Sequence, residues 1–208
     1  MARITLIPDH FALVLFDADR VRDLCGEVAD AIGAPADTEF SIEIDEELGQ
    51  PLTASYVDAR DGRALLWYSG GNFEDTHRPR HLDETRARRE LAVGMLRGID
   101  RLGGRFAAAP VDDQLTDAQR ALWEVSAEGR AARAGLPTRT DRLRYVFRLA
   151  CGFTDEADAA YEQMWGSDAP TWSRVVELAE VLGPNRPSGR RAVRRDDLRA
   201  RRSGSVGA

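Results

Sequence analysis

Between Asn72 and Glu84 the chain gathers six groups able to move protons or hold a metal: Glu74, Asp75, His77, His81, Asp83 and Glu84. Two imidazoles and a carboxylate suffice to hold Zn²⁺ or Fe²⁺ and leave an open position to polarise a carbonyl or activate water. Asp75, His77 and His81 are therefore the candidate metal ligands, and a metal-dependent hydrolase centred on them is one expected function. Pro79 interrupts the His77–His81 pair, so no regular helical face presents both rings, and the remaining histidine, His10, is distant in sequence. The plainer reading is a polar loop entering a helix whose N-terminal dipole favours Asp83 and Glu84. Arg78 and Arg80, beside that helix start, form a candidate anion site.

A second acidic stretch holds Glu39, Glu43, Asp45, Glu46 and Glu47. Paired carboxylates can share acid–base work or bind Mg²⁺. Strand alternation, however, already places Glu43 and Asp45 on the same polar side as Ser41, so a solvated sheet face accounts for them.

The third feature is basic. Residues 184–208 carry eight arginines against two acids, a balance of +6; with −6 overall, residues 1–183 hold −12. The candidate contacts in this tail are Arg190, Arg191, Arg194, Arg195, Arg199, Arg201 and Arg202. Gly, Ser, Pro and Arg dominate it and large apolar residues are scarce, so it is expected to be disordered. Such a tail can neutralise phosphates, which makes an accessory nucleic-acid binder another expected function. It lacks the interleaved aromatics on which bases stack, and the acidic body repels a polyanion.

Composition removes several enzyme classes. All 29 basic residues are arginine and lysine is absent, as a GC-rich genome favours. Without lysine there is no Walker A phosphate loop, no internal Schiff base and no Ser–Lys dyad. No GxSxG, HExxH, GxGxxG or EF-hand loop occurs. Cys25 and Cys151 stand singly on apolar stripes, as small core residues do. No cofactor is expected.

These groups need a scaffold, and the 208 residues predict one. Arg3–Ile7 and Phe11–Phe16 read as strands about a Pro8–His10 turn. Asp17 or Asp19 then caps a helix with Val21, Leu24, Cys25, Val28 and Ile32 on one stripe, ended by Gly33. Phe40, Ile42 and Ile44 alternate as a strand, and two further strands flank Asp61-Gly62, a two-residue hairpin turn. A long helix from about Asp83 to Leu102 carries Leu91, Met95, Ile99 and Leu102. Glu84–Arg88 and Arg86–Glu90 are four-apart pairs on its solvated side, and Gly94 and Gly98 suit close packing within the chain. Thr116 and Gln119 form a capping box, and three more helices follow. Their stripes include Leu143, Val146, Phe147, Ala150 and Cys151, then Ala157, Tyr161 and Met164, then Trp172, Val175, Val176, Ala179 and Leu182.

The expected fold class is α+β: an antiparallel ββαβββ sheet with packed helices, then an all-helical C-terminal half. The expected divisions are a sheet domain over 1–107, a helical subdomain over 111–183 and the tail over 184–208. The order of elements over 18–103 resembles that of small bacterial zincin-like metallopeptidases. Their long helix carries HExxH, whereas the matching helix here, Arg88–Leu96, has no histidine, so no family is assigned. With no converging nucleophile or acid–base couple and no membrane-spanning run, the favoured expectation is a non-catalytic cytoplasmic binding or regulatory protein. It would act through contacts with a protein partner or with itself.

Overall fold

The computed structural model describes residues 2–183; the seven tail arginines named above, and the disorder expected of their segment, lie outside the described residues. Four strands form one sheet in the order β1-β2-β4-β3: β1 (Arg3–Ile7), β2 (Glu39–Asp45), β3 (Ser55–Arg60) and β4 (Arg63–Ser69). The β1–β2 and β2–β4 ladders are parallel, and β3–β4 alone is antiparallel. The sheet is therefore mixed, which corrects the antiparallel expectation. Helix α1 (Ala18–Ala31) links β1 to β2, and strands joined through a helical crossover run parallel. Alternation of apolar residues reads the same in either direction.

The second expected strand does not form, so the order is βαβββ. Val14 and Phe16 are buried, but the backbone of this segment finds other partners. The amides of Ala12 and Leu13 donate to the Glu46 carboxylate at 2.8 and 2.5 Å, and Leu15 N–H donates to the Arg80 carbonyl at 2.7 Å. Backbone donors satisfied in this way need no ladder.

Asp17 caps α1, accepting from the amides of Asp19 and Arg20. Helix α2 (Glu84–Leu102) starts at Asp83, whose carboxylate accepts the Arg86 amide at 3.0 Å. Both helices bury their stripes in one core with Phe40, Ile42 and Ile44 of β2 and Ala64, Leu66 and Tyr68 of β4. Gly94 and Gly98 make that approach possible. A Cβ at Gly94 would collide with the Tyr68 hydroxyl, and one at Gly98 would lie 2.8 Å from the Ala64 Cβ. Tyr68 uses the space to donate to the Glu90 carbonyl at 3.1 Å.

The rest of the described chain is helical: α3 (Asp117–Arg133), α4 (Thr140–Cys151), α5 (Asp155–Trp165) and α6 (Trp172–Val181), with short 3₁₀ turns before α3. The Thr116–Gln119 capping box is present in full. Helix α3 packs against α2, α4, α5 and α6. Its Ala127 and Ala131 join the sheet core, while Leu122, Trp123 and Val125 join a second core with Phe106, Phe147, Tyr161, Met164 and Trp172. It runs through Gly129, where the sequence suggests weakening, because the missing Cβ admits the Trp165 carbonyl. Helix α4 buries only Phe147 and Cys151 of its expected stripe, leaving Val146 and Ala150 exposed.

Polar bonds lock the seam between α2 and α3. Asp100 accepts the Trp123 indole N–H at 2.7 Å and both ends of the Arg130 guanidinium at 2.8 and 2.6 Å. No helix among the described residues is long and apolar enough to cross a membrane.

Candidate functional site

The sequence candidates do not converge. Asp75 accepts the His77 amide at 2.8 Å and the Arg78 guanidinium at 2.9 Å, bonds that hold its carboxyl below the ordinary range. His81 Nδ1 lies 3.2 Å from the Pro79 carbonyl, and both imidazoles are on exposed residues. Among the described residues no three His, Cys, Asp or Glu side chains are placed to hold a metal ion. Arg78 is committed to Asp75, and Arg80 is an exposed turn residue with φ +68°. In the acidic stretch, Glu39 pairs with Arg3 and Arg63, Asp45 is buried, and Glu46 anchors the 12–13 backbone. These carboxylates are structural rather than merely solvated. Both cysteines are buried, and burial pushes each thiol up to about 12, far from a nucleophilic thiolate.

The groups that do converge line a cavity of about 310 Å³ between the sheet edge, α2, α3 and the first turns of α4, within the size range of small-molecule sites. One face of α2 supplies Arg86, Arg89, Glu90 and Arg97; α3 supplies Glu124 and Glu128, one turn apart; α4 supplies Arg139 and Arg142. Arginine outnumbers carboxylate on this lining five to three.

Each wall has a local cause. Gly94 lets Tyr68 press on α2 and hold the Glu90 carbonyl, while Asn72 donates to Glu90 Oε2 at 3.2 Å and is held by Ser69 at 2.8 Å. Arg89 bonds Glu90 and lies 3.8 Å from Glu128 Oε1. Arg97 is occupied elsewhere, by Asp112. Arg86 is different. It is only 9% exposed, and among the described residues its Nε has no acceptor and its side chain makes no ion pair or hydrogen bond. The four-apart Arg86–Glu90 pair expected on a solvated face is thus absent, because this face is turned inward; Glu84–Arg88 does form, at 3.0 Å.

Among the described residues, Arg139 and Arg142 likewise carry no ion pair or side-chain hydrogen bond, and both face the same cavity. Burial, then the neighbouring Arg89, Arg86 and Arg142 cations, hold the Arg139 guanidinium below its usual range. Arg139 also occupies the N-cap of α4, which has no side-chain cap. The acid wall is perturbed the other way. Burial pushes Glu128 up to about 7, helped by Glu90 and Glu124 and opposed by Arg89; its Oε2 is buried without a donor. Burial also raises Glu124.

No protein-family model, curated protein or solved structure matches the chain.

Proposed function

We propose that this chain is a binding protein for a small anionic molecule held in the cavity between β3, α2, α3 and α4. One observation carries the reading: three arginines with no ion pair or side-chain hydrogen bond among the described residues line a single cavity, Arg86 nine-tenths buried and Arg139 and Arg142 at its exposed rim. Burying an unpaired cation costs several kcal/mol, and guanidinium is the side chain best suited to grip phosphate or carboxylate through paired bonds. Each hydrogen bond to a charged group contributes roughly 1.5–3 kcal/mol, so an anion bonded to Arg86 would offset that cost, with the exposed Arg139 and Arg142 closing on it from the rim. The uncapped α4 terminus adds favourable potential. A cytoplasmic setting belongs to the same proposal, supported by two unpaired cysteines.

Calorimetric titration with phosphate, sulfate and small dicarboxylates tests it. Saturable binding to the wild type, weakened tenfold or more by R86M and by R142A, is expected. No binding by any member of that panel would overturn it.

A second reading, a regulatory protein that pairs with another copy of itself, is favoured by the outer face of α4. Tyr145 and Leu149 stand exposed there, and Phe153, just past the helix end, lies against the Tyr145 ring, the last two at 60% and 62% exposure. An isologous pairing would cover such a face with its own likeness. Light scattering of the wild type and of L149D decides it: a dimer lost on substitution supports the pairing, and a monomer throughout removes it.

A further inference from the structure

The anion-binding reading treats the cavity as basic, yet its lining is divided. Arg86, Arg139 and Arg142 share its lining, and the Arg89, Arg86 and Arg142 charges act on Arg139 in the same sense. Glu128 feels Arg89, Glu90 and Glu124, and Glu124 and Glu128 follow each other by one turn of α3. Arg89, bonded to Glu90 and near Glu128, stands between the two groups.

The acid wall carries its own unmet demand. Glu128 is 7% exposed and its Oε2 has no donor among the described residues; Glu124, half-buried one turn before it, makes no hydrogen bond or ion pair there. A ligand that is anionic throughout would satisfy the arginines, leave Glu128 Oε2 unserved and bring like charges together. A ligand that also ends in a donor group serves both walls.

Resting on the anion-binding reading, we infer that the ligand is a small amine-bearing phosphate, its phosphate held by Arg86, Arg139 and Arg142 and its ammonium by Glu124 and Glu128. Phosphate fits the first wall because three guanidiniums match its three terminal oxygens. Ammonium fits the second because it is donor-only and cationic, against two carboxylates and the nearby Glu90. The raised Glu128 agrees with this, since a cation beside it would return its carboxyl to the ionised form.

Three probes separate this inference from the reading beneath it: inorganic phosphate, phosphoethanolamine and 2-hydroxyethyl phosphate, each titrated calorimetrically into the full chain at pH 7.5. Phosphoethanolamine should bind about tenfold or more tightly than hydroxyethyl phosphate, the scale of one charge-assisted hydrogen bond. E128Q, shown folded by circular dichroism, should bring that ratio close to one, and R142A should weaken all three probes. Equal affinity for the amine and hydroxyl probes overturns the ammonium site while leaving the anion site standing. An undiminished ratio in E128Q overturns the assignment to Glu128. Binding of none of the three overturns the inference together with the anion reading.

Discussion

Arg97 and Asp112 form an ion pair at 2.6 Å with 2% of either side chain exposed. Arg101 reaches the same carboxylate oxygen at 2.7 Å, and Asp112 Oδ2 accepts the Val57 amide of the edge strand β3 at 3.0 Å. Both guanidiniums also lie over the Trp123 ring, at 4.7 and 4.9 Å. Burial alone would raise the Asp112 carboxyl; the Arg97 and Arg101 charges outweigh it and hold the group below its ordinary range. One carboxylate thus ties α2, the sheet edge and α3 together behind the cavity, and holds Arg97 of the lining in an ion pair.

Removing that carboxylate strands two buried cations and a strand amide. D112A is expected to lose about 3–5 kcal/mol of stability, read from urea unfolding. D112N keeps an oxygen for the Val57 amide, so its loss should be smaller. A loss below about 1 kcal/mol in D112A would show that the cluster does not hold the seam.

The Gly94–Tyr68 contact predicts a coupled pair. G94A should lose about 1–3 kcal/mol because its methyl meets the Tyr68 hydroxyl. Y68F alone should lose about 1 kcal/mol with its bond to the Glu90 carbonyl. Since Y68F removes the atom that the new methyl strikes, the double variant should be less destabilised than the two losses combined. Strict additivity in the double-mutant cycle would refute the contact.

Glu128 predicts a pH dependence of stability. Its carboxyl titrates near 7 in the fold and near 4.5 when free of it, so the native state holds the proton more tightly. Stability is full below about pH 4.5 and falls as pH rises through 7, by up to about 3 kcal/mol. The charges facing it are Arg89 and Glu90 on α2, Glu124 on α3 and Arg139 at the start of α4; Glu124, also raised, acts in the same direction. E128Q should lack most of this decline in urea midpoints between pH 5 and 8. Parallel profiles for E128Q and the wild type would contradict it.

Arg86 predicts opposite movements of stability and binding. R86M keeps the volume of the side chain and removes a buried charge without a partner, so the ligand-free protein should gain about 1 kcal/mol or more. The same change should weaken phosphate binding. A variant that loses stability would mean that Arg86 serves the fold rather than a ligand.

Much of the scaffold was legible in the residues because its signals are local. Asp17, one of the two caps the sequence offers, and Thr116 cap their helices, and Asp61-Gly62 makes the expected hairpin; Asp83, expected as the start of its helix, is the cap just before it. Strand direction was not legible, because Phe40, Ile42 and Ile44 alternate identically in either sense. Phe11–Phe16 misled for another reason: it is an unbroken apolar run that buries Val14 and Phe16, but Glu46 and Arg80 take its amides. The cavity was hidden because its residues are far apart in sequence. Arg86 and Glu90 read as an ordinary exposed helical pair until α3 and α4 cover that face. Leu143 and Val146 offered a faint signal in retrospect, since both line the cavity beside Arg139 and Arg142 and neither is fully buried.

The exclusive use of arginine has a consequence at this cavity. Guanidinium does not release its proton under physiological conditions, so Arg86, Arg139 and Arg142 make a permanent positive pole. The carboxylates alone are adjustable, Glu124 and Glu128 of α3 foremost. Acidification therefore shifts the chamber's charge in one direction alone, toward a larger positive surplus, and any tuning of ligand preference by protons runs through its acids.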